Sequence, residues 1–221
     1  MKQQERQERS KNLILQAAFS EFGASDLDAV TMDGICAKHG ISKGMMYHYY
    51  ANKDELFLAC VQQTFQELQR YVEQQAEKLA GQAPEERIKT FFLLREYYFE
   101  EHPEQKNIFE NAMLRTPKHL EYEIWGLRLP LQGLNQLFLQ QAVADIPLRP
   151  SLEKSEVTHY LGHAEYAFRA ILGQLRKEGQ VTDLHSMLEA TSKIWDMVLF
   201  GVALQPENEA SGTPAVSSGI V

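Results

Sequence analysis

The sequence lacks the features that mark secreted or membrane-bound proteins. Its two cysteines, Cys36 and Cys60, both lie within helical patterns, so no disulfide framework is predicted. No apolar run approaches the roughly 18 residues that a membrane-spanning helix requires. The first residues, MKQQERQERSK, contain no apolar segment of the kind found in secretory signals. We therefore expect a cytoplasmic protein that makes no contact with a membrane.

Sequence motifs of catalysis are absent as well. There is no His-Glu-x-x-His and no dinucleotide fingerprint. The Gly-Ile-Ser-Lys-Gly run over 40–44 is not a phosphate-binding loop, because no Gly-Lys-Ser/Thr follows at the required spacing. His159 and His163 stand four residues apart, a spacing that can place two ligands on one helix face, but no third metal ligand accompanies them. We predict that the protein is not an enzyme and that it has neither a cofactor nor a metal.

Positive charge is scarce. The chain has 22 Lys and Arg residues against 30 Asp and Glu residues, which gives a formal net charge of −8. Residues 1–54 contain seven basic and seven acidic side chains, so the whole excess of acid follows Asp54. This composition excludes a strongly basic nucleic-acid binder, but it permits a neutral N-terminal segment with a small electrostatic footprint.

The sequence does contain a series of helix-capping signals between Thr31 and Leu56. Thr31 is an N-cap candidate for a first helix, and Gly40 is suited to end it because glycine readily adopts a positive φ. Ser42 can cap a second helix after a tight turn, and Asn52 can cap a third. The pattern predicts a helix-turn-helix followed by the start of a longer helix.

The second of these helices has the composition of one that enters a DNA major groove. Ser42 and Gly44 are small, which allows the backbone to come close to the groove. Lys43, Tyr47 and His48 carry donors for phosphates or base edges. Double-stranded DNA is therefore the predicted partner of this segment.

The segment from Ser10 to Leu56 resembles the TetR family of transcriptional regulators. The resemblance rests on residue types at fixed spacing: Ile14, Ala17, Ala18, Phe19, Phe22, Gly23, Thr31, Ile35, Gly40, Ile41, Ser42, Lys43, Gly44, Tyr47, Tyr49, Lys53 and Leu56. It implies DNA contacts by Thr31, Ser42, Lys43, Gly44, Met45, Tyr47, His48 and Lys53. Lys53 is implied to meet a phosphate. Two features depart from the family pattern: Met45 replaces a residue that is often small and polar, and the loop 24–30 is longer and more acidic than usual.

The resemblance also implies how such a regulator works. Family members are most often repressors that bind a palindromic operator as homodimers and release it when a small molecule enters their second domain. We therefore expect an apolar or amphipathic effector of unknown identity. The last two helices are implied to pair across a twofold axis, and we predict Leu172 and Leu188 on that interface.

Hydrophobic periodicity predicts an all-α fold for the whole chain. After a polar arm over 1–9, helices are expected over about 10–22, 31–39, 42–49, 52–79, 84–102, 103–116, 118–144, 151–177 and 182–204. Pro130 should kink or split the seventh of them. We predict a three-helix DNA-binding domain over 1–55 and a helical effector-binding and dimerisation domain over 56–204. The long helix over about 52–79 connects the two domains, and 205–221 forms a disordered tail.

Aromatic residues are numerous in the second half of the chain, and most of them are expected to be ordinary core. If that half encloses an effector cavity, the candidate lining residues are Phe92, Tyr98, Phe109, Trp125, Phe138 and Tyr166. A second function remains open, namely a helical protein–protein adaptor without sequence-specific DNA binding. The acidic second half of the chain favours that alternative slightly.

Overall fold

The computed structural model of the protein describes residues 3–202, without the side chains of residues 3, 85, 161–166, 169 and 199–202. Within that range the chain forms nine α-helices and no strand, which confirms the all-α prediction. The predicted tail lies outside the described residues. The helices are α1 (Gln3–Ala24), α2 (Met32–His39), α3 (Lys43–Tyr49), α4 (Lys53–Ala76), α5 (Pro84–Glu101), α6 (Pro103–Met113), α7 (Glu121–Ala144), α8 (Lys154–Lys177) and α9 (Leu184–Val202).

Helices α1, α2 and α3 pack with the first two turns of α4, and we call this group the head. Helices α2, α3 and α4 begin at the predicted capping residues. The Thr31 hydroxyl accepts a hydrogen bond from the Gly34 amide at 3.0 Å, and Gly40 ends α2 with φ 65°. Ser42 caps α3, and Asn52 caps α4 in the same way. The helix-turn-helix is therefore fixed by local chemistry before any long-range packing is considered.

The beginning of α1 differs from the prediction. The expected polar arm is helical from Gln3 onward, so α1 starts seven residues earlier than its apolar pattern indicated. The run from Gln3 to Arg9 consists of Gln, Glu and Arg, which all have high helix propensity. Its described side chains are exposed, so there is no apolar face from which periodicity could have detected the helix.

Helix α4 leaves the head and becomes the central helix of the second part of the chain, which we call the body. Its 24 residues correspond to a length of about 36 Å. It packs against α1 at one end and against α5, α6 and α7 further along. A short 3₁₀ turn over Glu77–Leu79 follows it, so the helical segment ends at the predicted residue 79.

The body is completed by α5 to α9. Helix α7 is one continuous helix with Pro130 inside it, so the proline does not split it in two. A 3₁₀ turn over Lys118–Leu120 precedes α7, where the prediction had placed its first residues. Helix α5 packs against α7 and α9, and α8 packs against α7 and α9. None of the described helices combines the length and the apolar composition needed to cross a membrane.

The structure corrects the predicted position of Leu188, which is buried and lines a cavity inside the subunit. Leu172 lines the same cavity but is only half-buried, so its place on an interface between subunits stays a prediction. Hydrophobic periodicity could not distinguish packing within the chain from packing between chains. Among the described side chains of α8 and α9, the large apolar ones that are exposed are Tyr160, Ile171 and Met197.

Candidate DNA-binding surface and internal cavity

The outward face of α3 brings together most of the residues that the sequence predicted for DNA contact. Ser42, Lys43 and Gly44 are exposed at its N-terminus, and Tyr47 and His48 are exposed one turn later. Met45 is half-buried, while Met46 is fully buried and anchors α3 in the core of the head. Thr31 is exposed at the start of α2, where its side chain is engaged as the cap.

Gly44 is not required by the packing of the protein itself. A Cβ atom built at this position would meet no atom within 4 Å, and the residue has no positive φ. Glycine in a helix lowers stability by roughly 0.5–1 kcal/mol relative to alanine. The free space above Gly44 is therefore left open toward the solvent, at the N-terminus of the exposed helix.

Lys43 forms an ion pair within the head. Its ammonium lies 2.5 Å from the Asp33 carboxylate on α2, and both side chains are more than half exposed. The hydrogen bond to Asp33 and the charge of that carboxylate raise the pKa of Lys43 above its ordinary value. A lysine in this state keeps its charge at neutral pH, and a phosphate would have to compete with Asp33 for it.

Lys53 is tied to the loop between α1 and α2. Its ammonium donates a hydrogen bond to the Leu27 carbonyl at 2.8 Å, and the residue is half-buried. Leu27 belongs to a short 3₁₀ turn over Leu27–Ala29 in the loop that the sequence marked as unusually long. Because an ammonium has three N–H donors, Lys53 can hold this carbonyl and still reach a phosphate.

The body contains a partly open cavity of about 370 Å³. This volume falls within the range of roughly 300–1,000 Å³ that is typical of small-molecule sites. Its walls come from α4, α5, α6, α7, α8 and α9 and from the turns after α6 and α8. The lining is mainly apolar and aromatic, with a few polar side chains among the apolar ones.

The structure places three of the six predicted lining residues at the cavity. Phe92, Phe109 and Trp125 line the cavity. Tyr98 does not, because its hydroxyl bonds to Gln105 and its ring packs beside Tyr71, away from the cavity. Phe138 is buried in a stacked pair with Phe91, with ring centroids 3.7 Å apart, and does not line the cavity either. The side chain of Tyr166 lies outside the described residues.

Sequence reasoning missed the polar and cationic members of the cavity wall. These are Arg95, Thr116, Glu121, Arg128, Gln132, Asn135, Arg176 and Thr191. One signal was available for Arg95, since it lies within the apolar stripe of α5 between Phe91 and Tyr98. A charged residue on a helix face that is otherwise buried is unusual unless it is paired.

No metal site accompanies the cavity in the part of the chain that the structure describes. Within that part, no group of three or more His, Cys, Asp or Glu side chains is arranged to hold an ion. His159 is exposed on α8, and the side chain of His163 lies outside the described residues.

Helix α6 connects the cavity to the head. Phe109, Ala112 and Met113 on this helix line the cavity. The Asn107 amide, on the same helix, donates hydrogen bonds to the carbonyls of Phe22 and Ser25 at the end of α1, at 2.8 and 3.1 Å. These carbonyls have no partner within the helix, so α6 supplies the C-terminal cap of α1.

The approach of α6 to α1 is close enough to require a glycine. A Cβ atom at Gly23 would lie 2.5 Å from Cβ and 2.7 Å from Cα of Glu104. A second link joins body and head nearby, where His119 lies 3.1 Å from the Asp54 carboxylate at the start of α4. The head is thus held at its α1 and α4 sides by segments that continue directly into the cavity wall.

Comparison with known proteins supports the helix-turn-helix assignment of the N-terminal segment. Residues 14–60 match the sequence model described as "Bacterial regulatory proteins, tetR family". No curated protein matches the sequence.

Several solved structures share the fold. The chain is similar to the fatty acid degradation regulator FadR from Bacillus halodurans, with a TM-score of 0.58, 12% identity and coverage of 84% of this chain and 94% of that one. It is also similar to a transcriptional regulator from Cytophaga hutchinsonii ATCC 33406, with a TM-score of 0.57, 18% identity and coverage of 87% and 98%. A third relative is the regulatory protein TetR from Rhodobacter sphaeroides, with a TM-score of 0.54, 18% identity and coverage of 83% and 97%.

Proposed function

We propose that this chain, which carries a helix-turn-helix DNA-binding domain of the TetR family over 14–60, is a ligand-released repressor that binds a palindromic operator as a homodimer. The observation that supports this most directly is the position of α6. One part of this helix lines a cavity of ligand size, and another part caps the first helix of the head.

DNA recognition is assigned to the N-terminal half of α3. Small residues there leave the helix backbone open to a groove, and Lys43, Tyr47 and His48 surround that opening. Lys53 and the exposed start of α2 at Thr31 would contact the sugar-phosphate backbone. Such contacts fix the position on the duplex, while base contacts determine the sequence that is bound.

A single head of this size makes few base contacts, so the proposal requires two. Two recognition helices reach successive major grooves when they lie roughly 34–36 Å apart. The exposed apolar side chains Tyr160 and Ile171 on α8 and Met197 on α9 mark the surface where a second copy would pack. A pairing of this kind makes a palindromic operator the matching DNA site.

Release follows if the ligand binds one head arrangement better than the other. Filling the cavity presses on Phe109 and Met113, and a displacement of α6 is passed to α1 through Asn107 and through the contact between Gly23 and Glu104. Trp125 lines the same cavity, so a releasing compound should change its fluorescence. The comparison with Trp125→Phe separates its signal from that of Trp195, the other tryptophan of the chain.

The proposed DNA contact is tested by Gly44→Ala. Within the protein this change meets no neighbour, so helix propensity should raise the free energy of unfolding by about 0.5–1 kcal/mol. The added methyl group projects toward the groove, so affinity for the operator should fall. Binding is measured by titration against DNA flanking the gene of the protein and against selected palindromes, at several salt concentrations.

Gly126→Ala in α7 is the matched control, because a Cβ there also meets nothing within 4 Å. It should raise stability without changing operator affinity. Lys43→Ala and Tyr47→Ala should also weaken DNA binding while the helical content stays unchanged. If the wild-type protein shows no salt-sensitive, sequence-selective binding, the regulator assignment fails and the protein–protein adaptor becomes the better reading.

A further inference from the structure

Arg95 on α5 is the most unusual group in the cavity wall. Only 7% of its surface is exposed, and its guanidinium carbon lies 4.4 Å from the ring centroid of Phe91 and 5.2 Å from that of Phe92. Burial lowers the pKa of the Arg95 guanidinium to about 9. At neutral pH the side chain therefore carries its positive charge beside two aromatic rings, with little of its surface exposed to solvent.

The hydrogen bonds of Arg95 do not balance this charge. One terminal nitrogen donates to the Phe91 carbonyl, and the other donates to the side-chain oxygen of Asn135 on α7 at 2.7 Å. Both acceptors are neutral. Among the side chains that the structure describes, no carboxylate lies within ion-pair distance of Arg95. A buried charge without a counter-ion is normally unfavourable, so its retention needs an explanation.

Most of the charged side chains that line the cavity are cationic, as Arg95 is. Arg95, Arg128 and Arg176 line it, and Glu121 is the one acidic residue among the described lining side chains. Arg176 is already used to donate to the Leu114 carbonyl at 2.9 Å. Glu121 is exposed at the start of α7. Arginines thus outnumber acidic residues among the described side chains that line the cavity, in a chain whose formal net charge is −8.

A further donor is available in the same wall. The indole Nε1 of Trp195 is buried and has no hydrogen-bond partner among the described residues. Trp195 packs against Phe92 and Phe168, with ring centroids 5.6 and 4.8 Å apart, and all three line the cavity. The cavity therefore combines aromatic surface with N–H donors and an unbalanced cation.

We propose that the effector is an apolar carboxylic acid whose carboxylate pairs with Arg95 and whose hydrocarbon part fills the aromatic cavity. This inference rests on the proposed function and specifies the ligand class of the same site. The planar guanidinium can present two parallel N–H groups to a carboxylate, a geometry that a neutral amide or ester cannot match. At roughly 30 Å³ per water-sized heavy atom, the volume of about 370 Å³ suits a ligand of about 12 such atoms.

The first test needs no mutation. Decanoic acid and phenylbutanoic acid are titrated into the full-length protein without DNA, each beside its own primary amide, and binding is followed by tryptophan fluorescence and thermal shift. Because hydrogen bonds to charged groups are stronger than those to neutral groups, the acids should bind roughly 10- to 100-fold more tightly than the amides. Equal binding of acid and amide, or no saturable binding of either acid, overturns the proposal.

The second test adds a counter-charge beside Arg95 without removing Arg95. Asn135→Asp is nearly isosteric and places a carboxylate where the structure has an amide oxygen 2.7 Å from the guanidinium. The internal carboxylate should compete with the ligand, so acid affinity should fall toward amide affinity while amide affinity is kept. A purely structural Arg95 would leave the ratio of the two affinities unchanged, and that result overturns the proposal.

Arg95→Gln and Arg95→Lys complete the design. The Gln variant should lose the preference for acid over amide, and the Lys variant should recover part of it. If Arg95→Gln does not fold, the wild-type ratio and Asn135→Asp still decide the matter. These measurements use no DNA, so a failure here is distinct from a failure of the regulator assignment. If the protein does not prefer acids but neutral apolar compounds release it from DNA, the regulator assignment stands and the proposed ligand class is wrong.

Discussion

Replacing Gly23 by alanine tests the contact that joins head and body. The new Cβ would stand 2.5 Å from Cβ and 2.7 Å from Cα of Glu104. Carbon atoms in contact are separated by roughly 3.5–4.0 Å, so α1 and α6 would have to move apart locally by about 1 Å. One of the two obstructing atoms is backbone, so a rotamer change of Glu104 cannot relieve the clash.

The magnitude follows from two opposing effects. Overpacking in a tight contact destabilises by about 1–3 kcal/mol. Near the end of a helix, alanine regains at most about 0.5–1 kcal/mol relative to glycine. We therefore expect Gly23→Ala to lower the free energy of unfolding by roughly 1–2 kcal/mol, as measured by urea denaturation of the full-length protein.

Two comparisons make this expectation specific. Gly133→Ala lies inside α7 and meets nothing within 4 Å, so it should be stabilising by about 0.5–1 kcal/mol. Adding Glu104→Gly to Gly23→Ala removes the nearest obstructing atom and leaves Cα, so it should recover only part of the loss. A Gly23→Ala protein at least as stable as the wild type would show that the two helices are not held at this separation.

Three further outcomes are expected. Ile171→Glu and Met197→Glu place charges on the exposed apolar surface of α8 and α9, so each should give a folded monomer by sedimentation and circular dichroism. Leu137→Glu changes a similarly exposed apolar site on α7 and should remain dimeric. Dimers from all three variants would refute this interface. Lys53→Ala should weaken binding to all DNA sequences about equally and reduce the slope of log affinity against log salt concentration by about one unit. It should also lower the free energy of unfolding by roughly 1–2 kcal/mol, because the hydrogen bond to the Leu27 carbonyl is lost. A changed base preference would contradict the phosphate role. Hydrogen bonds from α2 hold the pKa of Glu21 below its ordinary value, so this carboxylate stabilises the fold at neutral pH, and its contribution disappears as the pH falls through roughly 4 and below. Glu21→Gln should therefore lose stability near pH 7 and match the wild type at low pH in pH-dependent urea melts.

The ion pairs behind the last of these expectations link α1 to α2. Lys38 and His39 both lie 2.8 Å from the same oxygen of Glu21. The hydrogen bond from Lys38 is the largest cause of the lowered pKa, and that from His39 is the second. If Glu21→Gln had the same pH profile as the wild type, the pairing would contribute nothing measurable to the fold.

The head could be predicted closely because its signals are local. Thr31, Gly40, Ser42 and Asn52 each act on backbone groups within four residues, so their effect does not depend on the tertiary structure. The start of α1 was missed for the opposite reason. Its first turns are held by helix propensity without an apolar face, and periodicity does not register such a segment.

The cavity could be predicted only in part, because it depends on how distant helices meet. Phe92, Phe109 and Trp125 were identified as lining residues, but composition gave no reason to prefer them over Tyr98 or Phe138. Those two rings lie on the same helices and pack toward other neighbours. The apolar stripe of α5 did contain Arg95, yet only the structure shows that its partners are neutral.

The contact of α6 with α1 has a consequence for building chimeric regulators. The sequence predicts that the DNA-binding domain ends near residue 55, which suggests exchanging it at that point for the corresponding domain of another regulator. The structural boundary does not lie there, because Gly23 packs against Glu104 and the carbonyls at the end of α1 accept hydrogen bonds from Asn107, some 80 residues later. A transplanted head with a larger residue at position 23 would be held at a different angle, and in the proposed homodimer its two copies would no longer fit the groove spacing. A working exchange would have to carry the outer face of α6 together with the head, while the cavity face of the same helix stays with the body.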